Sequence, residues 1–247
     1  MKQLSAVLLT KNEENNIERA ITSIKIINFI TVIDDGSTDK TIEIAERLGA
    51  TVVERPLAGN YAAQRNFALQ NASTDWVLFL DADEVITPEL AKEIENLPDD
   101  SPYSAYFVRR LDTFWNTKMI HGEAGNCYVP RLVNKTRGNF IRPVHEEWKG
   151  ATQTQNLSST LNHYPHQTVK EFIEEVNKYS DLNAEHFFNT GKKTNALDIL
   201  FTPLFKFVYT YFIKLGFLDG AAGFVYSFMM SFHSFLSRAK LYIRTQK

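Results

Sequence analysis

The sequence predicts an α/β fold: a mostly parallel sheet flanked by helices, followed by a helical, aromatic-rich extension. Three observations predict it. Apolar runs of strand length alternate with helical stretches over the first hundred residues. Three of those runs end in polar clusters. Of 31 aromatic residues, 13 crowd into residues 199–243.

The elements follow in order. Residues 4–10 are a short apolar run, the first strand. Residues 12–26 read as a helix with Ile17, Ala20, Ile21 and Ile24 on one face. Residues 29–33 are a second strand, running into Asp34-Asp35-Gly36-Ser37. Thr38 or Asp39 caps a helix through Leu48, and Gly49 suits its end. A third strand covers 51–54, a helix 61–71 and a fourth strand 76–80, ending at Asp81. Thr87-Pro88-Glu89 opens another helix, with threonine as cap and proline in the first turn. Apolar strands spaced by such helices imply a parallel sheet covered on both faces. Beyond residue 100 the pattern is less regular; 103–110, 128–133 and 138–148 read as strands that extend the sheet and build the second half of a cleft. From Thr168 the chain turns helical, with Val169, Phe172, Ile173 and Val176 at helical spacing.

Composition removes several classes. An apolar share of 44% against 23% charged residues supports a packed core rather than disorder. Lys+Arg is 27 and Asp+Glu 29, a net charge of -2, without the basic excess of a charge-driven nucleic-acid binder. The single cysteine, Cys127, allows no internal disulfide and no cysteine-based zinc site. The first residues lack the apolar stretch of a signal peptide, so a cytoplasmic location is expected. The first strand is followed by Thr10-Lys11-Asn12-Glu13-Glu14-Asn15, not G-x-G-x-x-G, and no P-loop occurs. A nicotinamide dehydrogenase and a P-loop ATPase are therefore disfavoured.

In open α/β sheets ligands bind beyond the carboxyl ends of the strands. That rule gathers Thr10-Lys11-Asn12-Glu13, Asp34-Asp35-Gly36-Ser37 and Asp81-Ala82-Asp83-Glu84 on one edge. Two carboxylates at i and i+2 after a buried strand suit one hard cation, magnesium or manganese, which commonly also holds a substrate phosphate. The competing reading is a solvated acidic turn. Asp34 and Asp35 can accept hydrogen bonds from a base N–H or ribose hydroxyls, or serve only the next helix's capping turn. Arg65 is either a phosphate ligand or a surface arginine.

The stretches 7–14 (V-L-L-T-K-N-E-E), 32–39 (V-I-D-D-G-S-T-D), Ala63-Gln64-Arg65-Asn66 and 78–84 (L-F-L-D-A-D-E) together resemble glycosyltransferase family 2, the inverting nucleotide-sugar transferases of the GT-A fold. The resemblance implies that Thr10, Asn12, Glu13 and Asp34 surround the nucleoside; Asp35, at the same sheet edge, is a further nucleotide-binding candidate. It implies that Arg65 lies near the base or diphosphate. It implies that Asp81 and Asp83 form the D-x-D, with Asp83 closest to the metal. Lys11 stands where many members carry an aromatic residue. A second set, His121-Gly122, Pro130-Arg131-Leu132, Val144-His145-Glu146 and Gly216-Phe217-Leu218-Asp219-Gly220, is similar to the small glucosyltransferases of lipopolysaccharide-core and surface-polysaccharide assembly. The expected organisation is a catalytic domain over 1–166, with a nucleotide-binding half (1–100) and an acceptor half (101–166), and an extension over 167–247.

Inverting transfer needs a base for the acceptor hydroxyl and positive charge on the departing diphosphate. The resemblance places the base at Glu146; His145 is the alternative base or its orienting group, and Glu147 is the neighbouring acid. Arg131 and His121 are assigned to the diphosphate or acceptor. His163 is a cleft residue or third metal ligand, or else a structural histidine. In the tail, Phe224, Phe228, Phe232 and Phe235 share one helical face, and Phe201, Phe205, Val208, Phe212 and Leu215 form another stripe. We read two helices lying in a membrane interface, on the inner face of a plasma membrane, holding the site near a lipid-linked acceptor. The alternative is packing on the catalytic domain or a dimer. The expected activity is hexose transfer, glucose from UDP-glucose, to a lipid-linked saccharide such as a lipopolysaccharide core. The rivals are a nucleotidyltransferase and a non-catalytic nucleotide-sugar-binding scaffold.

Overall fold

The computed structural model describes residues 3–143, 146–165 and 168–246. The chain opens with β1 (Leu4–Thr10), α1 (Ile17–Ser23), β2 (Phe29–Asp34), α2 (Thr41–Arg47) and β3 (Thr51–Glu54). It continues with α3 (Tyr61–Asn71), β4 (Trp76–Asp81), β5 (Glu84–Ile86) and α4 (Pro88–Glu95). A strand-rich stretch follows: β6 (Ala105–Phe114), β7 (Thr117–Lys118), β8 (Cys127–Asn134), β9 (Gly138–Ile141), β10 (Glu147–Gly150) and β11 (Thr154–His163). The helices α5 (Val169–Asn189), α6 (Ala196–Val208) and α7 (Gly220–Thr245) complete it. Residues 1–110 with 128–163 form one compact unit; residues 111–127 with 164–247 form a second.

In the first unit, β1 feeds two cores at once. Ala6 and Leu8 join one apolar cluster, Val7 and Leu9 the other. β4 repeats this, with Leu78 and Leu80 on one face and Val77 and Phe79 on the opposite one. This double burial is why these strands read as continuous apolar runs. The main sheet runs β3-β2-β1-β4-β8-β6-β11-β5, and β7 pairs with β6. β1 is parallel to both β2 and β4, and β2 to β3. β4–β8 and β5–β11 are antiparallel. The parallel half brings the ends of β1, β2 and β4 to one edge: Thr10 lies opposite Asp34, and Leu9 opposite Asp81. Thr87 caps α4, its hydroxyl accepting from Leu90 N at 3.2 Å.

Three elements depart from expectation. The helix expected from residue 12 begins only at Ile17. Asn12 takes the left-handed conformation (φ 55°), which asparagine tolerates and a helix does not. The expected strand over 138–148 is instead a two-stranded ribbon, with Ile141 opposite Glu147 and Gly138 opposite Gly150. β11 was hidden because only Leu157 and Leu161 reach the core from a run otherwise rich in Ser, Thr and Asn.

The second unit is helical. Thr168 and Glu171 close a reciprocal capping box at the start of α5. Phe114, Met119, Phe172, Val176, Ala222 and Met229 form its core. α6 runs on as a π turn over Tyr209–Ile213. A 3₁₀ turn at Gly216–Asp219 then meets the start of α7 so closely that a Cβ on Gly223 would overlap the Gly216 carbonyl. Among the described residues, one helical stretch, Ala196–Ile213, is long and apolar enough to cross a membrane, with mean hydropathy 1.4.

Candidate active site

The loops after β1 and β2 are laced together. Asn12 N donates to Ser37 Oγ at 2.8 Å, and Asn12 Oδ1 accepts from Thr38 N at 2.8 Å. Glu13 N donates to Thr41 Oγ1 at 2.7 Å and Glu14 N to Asp39 Oδ2 at 3.1 Å. These bonds satisfy backbone N–H groups that the first turn of a helix begun at Asn12 would have left unpaired. Asp34 is fully buried; its carboxylate accepts from Gly36 N, Ser37 N and Ser37 Oγ. It therefore shapes the turn after β2. Asp35 accepts from Leu57 N at 2.6 Å and Lys11 Nζ at 3.0 Å. Thr10 is buried, and its hydroxyl has no bond partner among the described residues. Burial pushes the Glu13 carboxyl up to about 7; the Asn16 amide opposes this, and the charges of Asp83 and Asp39 add to it.

The tetrapeptide Ala63-Gln64-Arg65-Asn66 has a plain physical meaning. Asn60 caps α3 by accepting from Ala63 N. Gln64 Nε2 donates to Arg55 O, and Arg55 Nη1 donates to Ala63 O. Asn66 Nδ2 donates to Phe140 O while Phe140 N donates to Asn66 Oδ1, each at 2.8 Å. That pair pins α3 to β9.

Arg65 is only 4% exposed, its guanidinium beside the rings of Phe79 and Phe140, 5.3 and 5.6 Å from their centroids. Its Nε donates to Glu146 Oε1 at 2.8 Å and its Nη2 to Asp81 Oδ1 at 3.0 Å. Arg131 Nη2 donates to Asp81 Oδ2 and to Glu84 Oε1, both at 2.5 Å. Glu84 Oε2 accepts from Asp81 N. The result is a charge chain, Glu146–Arg65–Asp81–Arg131–Glu84. Arg65 and Arg131, expected at the base, diphosphate or acceptor, both bond carboxylates here, while Arg65 Nη1 and Arg131 Nε have no hydrogen-bond partner among the described residues. Burial works against the Asp81 charge, but Arg131 and then Arg65 hold its carboxyl below the usual range. Burial raises the Glu84 carboxyl, with Arg131 opposing.

Beside this chain, Asp83 Oδ2 lies 3.1 Å from His163 Nε2. The contact follows from register: antiparallel β11 sets His163 opposite Glu84. Burial opposes the Asp83 charge, and His163 more than offsets it, lowering the carboxyl. Among the described residues no group of three His, Cys, Asp or Glu side chains is arranged to hold a metal. One carboxylate and one imidazole fit a cation that takes its other ligands from diphosphate and water, as magnesium and manganese commonly do.

Residues 5–158 match the model of glycosyl transferase family 2. The chain belongs to glycosyltransferase family 2. It is a glycosyltransferase, and the resemblance in its motifs is correct. An uncharacterized glycosyltransferase of Rickettsia bellii is 34% identical, over 97% of this chain and 86% of its own. The lipopolysaccharide core biosynthesis glycosyltransferase LpsC of Rhizobium meliloti is 28% identical, over 98% of this chain and 92% of its own. The solved glucosyl-3-phosphoglycerate synthase of Mycobacterium tuberculosis overlaps 45% of this chain and 43% of its own, at TM-score 0.38 and 27% identity, too partial an overlap to speak for the site.

Within this glycosyltransferase the second motif set divides. Arg131 and Glu146 join the charge chain. His145 lies outside the described residues. His121 belongs to the second unit, where its Nδ1 lies 2.8 Å from Asp219 Oδ1 and its backbone N donates to Asp219 Oδ2. Two short motifs 98 residues apart thus meet, and Asp219 holds the imidazole. Glu147 is exposed and pairs with Arg142. The motif stretches contain Glu84, Gln64 and Asn66, but sequence reading assigned them no role. Glu84 adjoins the D-x-D, and a carboxylate closing a buried strand end needs a buried cation; that requirement was the available signal.

Proposed function

We propose that this chain is a metal-dependent inverting hexosyltransferase that moves glucose from UDP-glucose to a lipid-linked saccharide such as a lipopolysaccharide core. One observation carries the reading: the chain from Glu146 through Arg65 to Asp81, beside Asp83 and His163, at the carboxyl ends of parallel strands. The relation to LpsC over nearly the whole chain supports the acceptor class. The motif resemblance to small glucosyltransferases supports the sugar.

The chemistry follows from these groups. Arg65 holds Glu146 Oε1, which orients the carboxylate to take the proton of an acceptor hydroxyl attacking the anomeric carbon. The nucleoside diphosphate departs from the opposite face through a transition state of oxocarbenium character. A divalent cation held by Asp83 and His163 would supply positive charge to that leaving group. Arg131 and Glu84 keep the Asp81 strand end in place.

The test is direct. Purified chain is incubated with manganese, core-truncated lipopolysaccharide and labelled UDP-glucose, UDP-galactose, UDP-N-acetylglucosamine or GDP-mannose. Label is expected to enter lipopolysaccharide from UDP-glucose. Transfer from GDP-mannose alone would overturn the donor; no transfer from any donor would overturn the activity on this acceptor.

A further inference from the structure

α6 presents an amphipathic face. Leu197, Leu200, Phe201, Leu204, Phe205 and Val208 recur at helical spacing and are exposed, Leu197 at 65% and Phe205 at 72%. The opposite face turns inward: Pro203 is buried, and Lys206 is paired with Glu123 at 2.7 Å. Between α6 and α7 runs an apolar groove of about 280 Å³, lined by Leu200, Pro203 and Leu204 on one side and Phe228, Phe232 and Phe235 on the other. Its one hydroxyl is already satisfied, since Ser231 Oγ donates to Pro203 O at 2.7 Å. The groove therefore offers hydrocarbon surface without a competing polar demand.

What covers this face is indicated by charge and composition. The stretch Ala196–Ile213 has the hydropathy of a membrane segment, yet 11% of it is buried. Exposed Lys192 and Lys193 precede it and exposed Lys214 follows it. Cations at both ends of an apolar helix complement anionic headgroups along an interface. A second copy packed face to face would set these lysines against their own kind. The Lys206–Glu123 pair ties the inner face to protein, so the helix lies along a bilayer rather than across it.

We propose that α6 and α7 form a lipid-binding surface for an anionic bilayer, with one acyl chain entering the groove between them and lysines 192, 193 and 214 meeting phosphate headgroups. This deepens the reading of a lipid-linked acceptor. The experiment uses neither donor nor acceptor, so its failure leaves the transferase reading standing.

The full chain is floated with vesicles of phosphatidylcholine and phosphatidylglycerol (3:1) and with phosphatidylcholine alone. The wild type is expected to float with the anionic vesicles and to partition less in 1 M NaCl. Leu204→Asp, on an exposed groove position, is expected to lose about tenfold in partition with unchanged circular dichroism. Lys193→Glu with Lys214→Glu is expected to lose binding to anionic vesicles selectively. A wild type that stays unbound, or a Leu204→Asp chain that floats equally, would overturn the proposal. So would a dimer in light scattering that Leu204→Asp converts to monomer, because a second copy would then cover the groove.

Discussion

Glu146→Gln is expected to slow hexose transfer by about 10²–10⁴-fold while leaving nucleotide binding unchanged. Glutamine keeps the shape and an oxygen that can still accept from Arg65 Nε, so the charge chain loses little geometry. What it removes is the capacity to take a proton. Stopped assays of labelled product against UDP titration separate the two effects. Equal loss of binding would make Glu146 a residue that assembles the donor site. Unchanged transfer would move the base elsewhere, with Glu147 next to examine. Arg65→Lys gives a useful contrast, because lysine keeps the charge but cannot bridge Glu146 and Asp81 with a planar fork.

Arg131→Ala is expected to lower unfolding stability by about 3–5 kcal/mol, the cost of removing one partner from a buried ion pair. Arg131 is 4% exposed and serves two carboxylates, one of them the fully buried Glu84. Without it Glu84 and Asp81 lie close together in a low-dielectric setting, where Arg110, 4.0 Å from Glu84, and Arg65, 3.0 Å from Asp81, still offer positive charge. Urea unfolding measures the loss. Pairing Arg131→Met with Glu84→Leu should recover much of it, since replacing a whole buried pair by apolar groups is often neutral. A stability loss under 1 kcal/mol for Arg131→Ala would mean that the pair is solvated in solution.

Much of the fold was legible in the sequence because parallel strands buried on both faces announce themselves. β1, β2 and β4 are mostly apolar, and Thr87 with Pro88 marks a helix start by local chemistry. The edge where Thr10, Asp34 and Asp81 gather followed from topology alone. What sequence could not show depends on pairing across distance. His163 reaches Asp83 only through the register of β11 on β5, and that strand carries two core leucines among polar residues. Arg65 meets Glu146, 81 positions away, and Asn66 grips the backbone of Phe140. That Asp34 forms the turn was not legible from its type alone; Gly36 and Ser37 offer it backbone donors at hydrogen-bond distance. The carboxylate partners of Arg65 and Arg131 were likewise not legible, because they come from distant parts of the chain.

The central claim is that Asp83 and His163 hold a divalent cation that fastens a nucleoside diphosphate at this edge. Calorimetric titration of the purified chain with UDP, GDP, CMP and ADP tests it, with manganese and then with EDTA, on wild type and Asp83→Ala. UDP binding is expected to require manganese, to disappear with EDTA and to be lost in Asp83→Ala. UDP binding of equal strength with EDTA present, or retained in full by Asp83→Ala, would contradict it.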